Sequence, residues 1–233
     1  MNVLGIGAHP DDLELMAGGT LRKYVEQGAA VTMSYLTNGD MGHAVIQPGE
    51  LAGIRKAEAK AATEVIGAGF EWLGISDEWL FADEPTRRKV VDLIRKAQPD
   101  VILTHAPNDY HPDHRNAHHL VFDASFLATV PHIGGDYPTL GKVPEIYCLD
   151  TLGGLETEPT HYVDITPVYE TKVEALRRHA SQLQWMLDHD GIDFVDWMRI
   201  MAEFRGLQSG CRYAEAFTLV RRWPAVSTKR VLP

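Results

Sequence analysis

The residues of this sequence that could do chemistry begin with a histidine and two aspartates near the N-terminus. His9, Asp11 and Asp12 follow an apolar run typical of a strand, and Pro10 restricts the backbone between them. The residue before a proline favours an extended backbone, so we expect the chain to turn sharply after His9. Two adjacent aspartates repel each other, but they can have different tasks if one binds a cation and the other faces the water on that cation. The pattern indicates a shaped polar loop at the carboxyl end of a strand.

A second cluster, His111, Asp113 and His114, comes after another strand-like run and leads into a predicted helix. Imidazole and carboxylate groups suit zinc, and a catalytic zinc keeps three protein ligands and at least one position for water. His9, Asp12 and His114 fit that count, and iron(II) is compatible with the same set. Such an ion would lower the pKa of its water from about 15.7 towards ~7.

The remaining members of the two clusters then have predicted roles. Asp11 could take the proton of the water. His111 could stand beside the developing oxyanion as imidazolium, with Asp113 orienting or charging it. The alternatives are a polar turn at the first cluster and a helix start capped by Asp113 at the second. His118 could replace one ligand, although a supporting or surface position is the simpler expectation, and His105 could be either buried or catalytic.

The elements that must position these clusters alternate between β-rich and amphipathic runs, which is typical of βαβ units. We predict strands at residues 2–6, 30–36, 70–73, 101–104, 145–149 and 161–165. We predict helices at residues 19–27, 51–66, 85–98, 115–129, 166–188 and after 193, followed by the run 213–221. In a doubly wound sheet of order 3-2-1-4-5, ligands bind outside the carboxyl ends of the first and fourth strands. Both clusters are therefore expected at one crevice.

Composition limits the class of protein. The chain has 233 residues, 22 Lys+Arg, 32 Asp+Glu and a formal charge of −10, so we expect one α/β domain over residues 1–233 and no nucleic-acid groove. Two distant cysteines, Cys148 and Cys211, indicate neither a disulfide framework nor a zinc knuckle, and they favour a reducing, cytoplasmic location. No apolar window reaches 18 residues, so we expect no membrane span. The irregular segments 38–50 and 131–144 are candidate binding loops.

Several motifs together resemble a known family. AHPDDLE at 8–14, GGT at 18–20 and HPDHRNAH at 111–118 resemble the zinc-dependent PIG-L/LmbE-like deacetylases. A helix with Arg55, Glu58, Ala62 and Gly67 is similar to the RxxExxxAxxxxG helix of that family, and the terminal run YAEAF at 213–217 resembles its bacillithiol-type subgroup, the N-acetylglucosaminyl-malate deacetylases.

The resemblance implies a Rossmann-like doubly wound fold with a mainly parallel sheet flanked by helices. It implies zinc ligands at His9, Asp12 and His114 and a general base at Asp11. It further implies that His111 stabilises the transition state or acts as general acid, oriented by Asp113.

The resemblance also implies two substrate-binding residues and an activity. Arg55 would contact the substrate near the metal, and Tyr213 would close the pocket, within the chain or from a neighbouring subunit of a trimer or hexamer. The expected reaction removes the N-acetyl group from a small N-acetylglucosamine compound such as N-acetylglucosaminyl-malate. The alternatives are a zinc-dependent hydratase of an unsaturated dicarboxylic acid and a non-catalytic sugar-binding module.

Overall fold

A seven-stranded sheet forms the centre of the computed structural model, which describes residues 1–222 and 232–233. The strand order is β3-β2-β1-β4-β5-β7-β6, and β7 alone runs antiparallel to its neighbours. The strands are β1 Asn2–Gly7, β2 Ala30–Thr37, β3 Gly69–Ile75, β4 Val101–Thr104, β5 Glu145–Leu149, β6 His161–Asp164 and β7 Ala214–Leu219. The predicted fold class and the 3-2-1-4-5 order are confirmed. Of the expected domain 1–233, residues 223–231 lie outside the described residues.

Helices cover both faces of the sheet, as the alternation of buried strand residues requires. Val3 packs into a core with α1 and α5, and the next residue, Leu4, packs into a second core with α3 and α4. The helices are α1 Asp12–Glu26, α2 Pro48–Ile66, α3 Glu84–Ala97, α4 Pro112–Leu127, α5 Tyr169–Arg177, α6 Ala180–Trp185 and α7 Phe194–Ser209. Among the described residues, no helix is both long enough and apolar enough to cross a bilayer.

The start of α1 differs from the prediction. We expected a helix from residue 19, but the helix already begins at Asp12 and contains Gly18 and Gly19. A side chain at Gly19 would place its Cβ 2.6 Å from Ile165, so this glycine is required by close packing. The first cluster therefore leads directly into a helix.

The single long helix predicted at 166–188 is also wrong. The segment divides into a 3₁₀ turn at Thr166–Val168, then α5, α6 and a π-helical turn at Met186–Asp190. The break between α5 and α6 falls at His179, whose side chain is fully buried with its Nε2 atom 3.3 Å from Glu14 Oε1. Burying a polar residue of this segment against Glu14 overrides the helical periodicity.

The clusters meet because β1 and β4 are neighbours. Ile6 pairs with Thr104 at the carboxyl ends of these strands. The chain then enters α1 on one side and α4 on the other, so the two His/Asp clusters face each other across the crevice. Segment 131–144 stays irregular, whereas segment 38–50 is irregular only through Gln47, because α2 begins at Pro48.

Candidate active site

A pocket of about 270 Å³ lies above the carboxyl ends of β1 and β4. Its walls come from both clusters, from the loops after β2 and β3, and from the region of α6. The lining residues are His9, Asp11, Asp12, Leu15, Gly42, Arg55, Asp77, Glu78, Tyr110, His111, His114, Leu152, Gln182, Trp185, Met186, Asp190 and Phe194. Of the two irregular segments, 38–50 contributes Gly42, and 131–144 contributes no lining residue. The pocket therefore combines the chemical groups of both clusters with an apolar wall.

Three side chains point their ligand atoms at one another at the base of this pocket. His9 Nδ1 lies 3.1 Å from His114 Nε2, and Asp12 Oδ1 lies 3.3 Å from His114 Nε2. The other oxygen of Asp12 lies 3.5 Å from His9 Nδ1. The structure thus brings together the three residues that the sequence predicts as metal ligands.

This trio has the spacing and the electrostatics that suit a divalent cation. Four ligands at 2.0–2.1 Å in a tetrahedron are separated by about 3.4 Å, close to the distances between these atoms. Burial lowers the pKa of His114, but Asp12 and Asp109 outweigh it and raise that pKa to about 9. The site therefore stabilises positive charge.

The outer nitrogens of both histidines face carboxylates. His9 Nε2 lies 3.0 Å from Asp77 Oδ1 and 3.4 Å from Asp113 Oδ2. His114 Nδ1 lies 3.0 Å from Asp109 Oδ2. Carboxylates in this position fix the tautomer and the ring orientation of metal-binding histidines. The lone pairs of the inner nitrogens, His9 Nδ1 and His114 Nε2, are then available to a metal ion.

The structure corrects the expected contact between Asp113 and the His111 ring. The Asp113 carboxylate accepts hydrogen bonds from the backbone N–H groups of Glu78 and Leu80 and faces His9. His111 Nδ1 instead accepts the backbone N–H of Asp113 at 3.2 Å, as the N-cap of α4. This happens because the His-Pro-Asp turn starts the helix, which sends the Asp113 side chain under the loop after β3.

The contacts of His111 favour a neutral ring that donates through Nε2 over the expected imidazolium. With Nδ1 accepting, its proton sits on Nε2, which points into the pocket 3.3 Å from Glu78 Oε1. Burial lowers the pKa of His111, and the charges of His9 and His114 act in the same direction. An Nε2–H group is thus presented to whatever lies over the trio.

Asp11 lines the pocket beside the trio and is held in an unusual conformation. Its φ of 120° is rare for a residue with a side chain, and such strain concentrates at functional sites. Burial raises the pKa of Asp11 to about 6; the charge of Asp12 acts in the same direction, and Arg55 opposes them. A carboxylate with such a pKa is a stronger base than an exposed aspartate and is still ionised at pH 7.

Arg55 is a buried site residue and not a solvated helix residue. It is 2% exposed, and its guanidinium donates to the Pro10 carbonyl and, at 3.3 Å, to Asp11 Oδ2. Gly39, at φ 64°, leaves room for it, since a Cβ there would lie 2.7 Å from the Arg55 side chain. Its Nε–H group has no partner among the described residues. Arg55 therefore places a positive charge at the pocket, and its Nε–H group is available to donate a hydrogen bond.

Tyr213, in contrast, is not brought to this pocket. Its ring stacks on Tyr169 at 3.8 Å between centroids, and the residue is 7% exposed. It precedes β7, whose start is fixed by hydrogen bonds between Tyr213 and Thr166. The packing of α5 against this strand occupies the ring, so the structure offers no contact through which it would close the pocket of its own chain.

The two other histidines near the clusters have supporting positions. His105 Nε2 accepts the Ala8 N–H at 2.9 Å and lies 3.0 Å from Asp12 Oδ2. Burial lowers the pKa of His105 to about 4, with His114 acting in the same direction. His118 Nδ1 donates to the His105 carbonyl, and His118 is not among the residues that line the pocket.

Sequence reasoning missed the carboxylates around the trio. Asp77 and Glu78 lie in the loop after β3, outside both motifs, and Glu78 has a positive φ of 65°. The available signal was their place after a parallel strand of the same sheet. Asp109 stands five residues before His114, where only the loop geometry reveals the contact.

Comparison with known proteins shows several relatives of similar length. The chain is 33% identical over 228 residues to the diacetylchitobiose deacetylase of Thermococcus kodakarensis, covering 94% of this chain and 82% of that protein. The solved structure of the N,N'-diacetylchitobiose deacetylase of Pyrococcus horikoshii matches with a TM-score of 0.81 at 29% identity, covering 94% of this chain and 83% of that one. The 4-carboxy-2-hydroxymuconate hydratase of Pseudomonas putida matches with a TM-score of 0.84 at 26% identity, covering 99% and 100%.

A family description covers the half of the chain that contains both clusters. The PIG-L family, described as GlcNAc-PI de-N-acetylase, matches residues 4–125. This range includes β1 with the first cluster and α4 with the second. Together with the full-length relatives, the match shows that the chain belongs to the PIG-L family of de-N-acetylases.

Proposed function

We propose that this protein is a metal-dependent hydrolase that removes the acetyl group from the 2-amino nitrogen of an N-acetylglucosamine unit in a small saccharide. The products are acetate and the free amine. The observation that carries the proposal is the position of Asp11, a buried carboxylate that lines the pocket beside the trio and forms an ion pair with Arg55. A non-catalytic sugar-binding module would need no such base.

His9, Asp12 and His114 would hold the metal ion. Zinc suits this set of two imidazoles and one carboxylate, and iron(II) is compatible with it. When bound, the ion would supply Lewis acidity and a water that is acidic enough to give hydroxide at neutral pH.

Asp11 would act first as base and then as acid. It takes a proton from the attacking water as the oxygen forms a bond to the acetyl carbonyl carbon. The His111 Nε2–H donates a hydrogen bond to the carbonyl oxygen as negative charge develops there. Asp11 then returns its proton to the sugar nitrogen as the C–N bond breaks, which leaves acetate and the amine.

Substrate binding would combine Arg55 with the apolar wall of the pocket. The unpartnered Nε–H of Arg55 can donate to a sugar hydroxyl or to an acyl oxygen. Trp185 and Tyr110 line the pocket, and their rings would pack against the C–H groups of a pyranose. The pocket volume of about 270 Å³ suits one sugar unit with the next unit extending outward.

The charge of the pocket favours a neutral saccharide over an acidic substrate. Among the described lining residues, five carboxylates (Asp11, Asp12, Asp77, Glu78 and Asp190) stand against the single guanidinium of Arg55. With a bound divalent metal ion, the net charge of these groups would still be negative. A dicarboxylic acid, the substrate class of the alternative hydratase function, would be repelled, whereas the ammonium group of a deacetylated sugar would be stabilised. For the same reason we propose diacetylchitobiose rather than N-acetylglucosaminyl-malate as the preferred substrate.

The test is acetate release by zinc-loaded protein from N-acetylglucosamine, diacetylchitobiose and N-acetylglucosaminyl-malate, with hydration of an unsaturated dicarboxylic acid followed in parallel. We expect acetate and amine in equal amounts, fastest from a neutral sugar. Hydration without acetate release would replace the deacetylase by the hydratase. Tight sugar binding without either product, with zinc bound, would establish the binding module.

We further propose that the protein is a homo-oligomer, a trimer or hexamer, and that it acts in the cytoplasm on small molecules and not on nucleic acid or membranes. The two cysteines, Cys148 and Cys211, are both free thiols, which suits a reducing compartment. Light scattering coupled to size exclusion measures the subunit number, and a monomer would remove the oligomer from the proposal.

A further inference from the structure

A buried ion pair meets the middle of α1. Lys172, on α5, and Glu215, on β7, form an ion pair with both side chains 2% exposed. Glu215 accepts the backbone N–H of Gly19 at 2.9 Å and that of Thr20 at 2.7 Å through its two oxygens. Lys172 Nζ donates to the Leu15 carbonyl at 2.7 Å. Three elements distant in sequence are joined at one turn of α1.

These bonds use groups that a regular helix would pair internally. In an α-helix, the N–H groups of Gly19 and Thr20 donate to the carbonyls of the residues four positions earlier, and the Leu15 carbonyl is one of those acceptors. Here a carboxylate also accepts from both N–H groups, and an ammonium ion also donates to that carbonyl. The glycines of the GGT motif permit the approach, because a Cβ on Gly18 would lie 3.3 Å from Lys172 Cγ.

The bonded turn adjoins the residues that would do the chemistry. Leu15 lines the active-site pocket with one part of its surface, while its carbonyl is held by Lys172. The Leu15 N–H donates to the Asp11 carbonyl at 3.0 Å, and Asp12 is the first residue of the helix. A shift of this turn would therefore be transmitted to Asp11 and Asp12 through one hydrogen bond and one helical turn.

Stability alone does not account for such a pair. Burying two charges costs desolvation energy that their attraction only partly offsets, and apolar replacements of buried ion pairs are often neutral or stabilising. The pair instead fixes the position of the α1 backbone, because it bonds to two N–H donors and one carbonyl acceptor of that helix.

We propose that the Lys172–Glu215 pair is a positioning device that fixes the first turn of α1, and with it Asp11 and Asp12, for metal binding and turnover. This explains two motifs, GGT and the glutamate of YAEAF, that supply no group to the pocket itself. The kinetic part of the inference rests on the proposed function, whereas the metal-binding and backbone parts do not.

The test compares Glu215→Leu, Glu215→Gln and Lys172→Met with Arg95→Met. Arg95 is also buried, at 2% exposure, and donates to the carbonyls of Ala128, Val130 and Ile133 on the other face of the sheet, so it controls for a general loss of stability. The readouts are zinc affinity by chelator competition, amide hydrogen exchange of residues 12–20, and kcat and KM separately.

For Glu215→Leu and Lys172→Met we expect faster exchange in residues 12–20, zinc affinity weaker by about 10-fold to 100-fold, and kcat lowered on the same scale with KM little changed. Glu215→Gln keeps an acceptor and should recover part of each loss. Arg95→Met should show none of them. The inference fails if folded Glu215→Leu, or Glu215→Gln where the first variant does not fold, matches Arg95→Met in exchange and zinc affinity. Changed zinc affinity in a protein that releases no acetate from any sugar would overturn the proposed function and leave this inference standing.

Discussion

Asp113 Oδ2 lies 3.4 Å from His9 Nε2, while Asp113 bonds to His111 through its backbone N–H, which donates to His111 Nδ1. The two histidines of the site are therefore supported differently. His9 is oriented by carboxylates, and His111 is oriented by the start of a helix. This separation distinguishes a role in metal affinity from a role in the chemistry of the oxyanion.

Asp113→Asn should accordingly weaken metal binding by about 10-fold to 100-fold, since outer carboxylates contribute that much to a metal site. The pH profile of the metal-saturated variant should keep its shape, because the His111 ring loses no side-chain partner. Chelator competition and rate-pH profiles measure both effects. Asp123→Asn, on the exposed side of the same helix, is the control. A shifted limb of the rate-pH profile with unchanged metal affinity would contradict this result and show that Asp113 acts on His111.

Arg55→Met should move the acidic limb of kcat/KM to higher pH. Asp11 must be ionised to accept a proton, so activity rises with pH through its pKa. Burial raises the pKa of Asp11 to about 6 against the opposing effect of Arg55. Removing the guanidinium removes that opposition, which raises the pKa further, and Arg55→Lys should hold the limb nearer to its original position. Bound metal draws the limb lower in all three proteins, so the comparison is made at equal metal loading. If the acidic limb of Arg55→Met does not move, Arg55 does not influence the pKa of Asp11.

Asp190→Asn should narrow the preference for neutral over anionic sugars. Asp190 lines the pocket with its side chain 39% exposed, so its repulsion of an acidic aglycone is partly screened by solvent. We expect kcat/KM for N-acetylglucosaminyl-malate to rise by about two-fold to five-fold, the scale of one exposed charge at close range, with diacetylchitobiose unchanged. Asp188→Asn is the matched control, because Asp188 is close in sequence but bonds to Gln184 and does not line the pocket. If kcat/KM changes equally for both substrates, the charge of Asp190 does not set the preference for neutral sugars.

The sequence predicts the fold and the meeting of the two His/Asp clusters well because both depend on local patterns. Alternating β and amphipathic runs specify a parallel sheet, and the switch point between β1 and β4 then brings the two clusters together. The predictions failed where a distant contact overrides the local pattern. The helix predicted from residue 19 begins earlier, at Asp12, where Ile165 and Lys172 pack closely against its glycines, and the helix predicted at 166–188 breaks where His179 turns inward to Glu14. The contact expected of Asp113 failed for the same reason, and packing against Tyr169 keeps Tyr213 out of the pocket of its own chain.

The measurement that tests the account most directly is made on Asp11→Asn. Asparagine keeps the shape of the side chain but cannot accept the proton of the attacking water. The variant and the wild type are loaded with zinc, their zinc content per chain is determined, and acetate release from diacetylchitobiose is followed. The account predicts equal zinc content with kcat lowered by about 10²-fold to 10⁴-fold, the contribution of a general base. Full turnover in the zinc-loaded variant would contradict it.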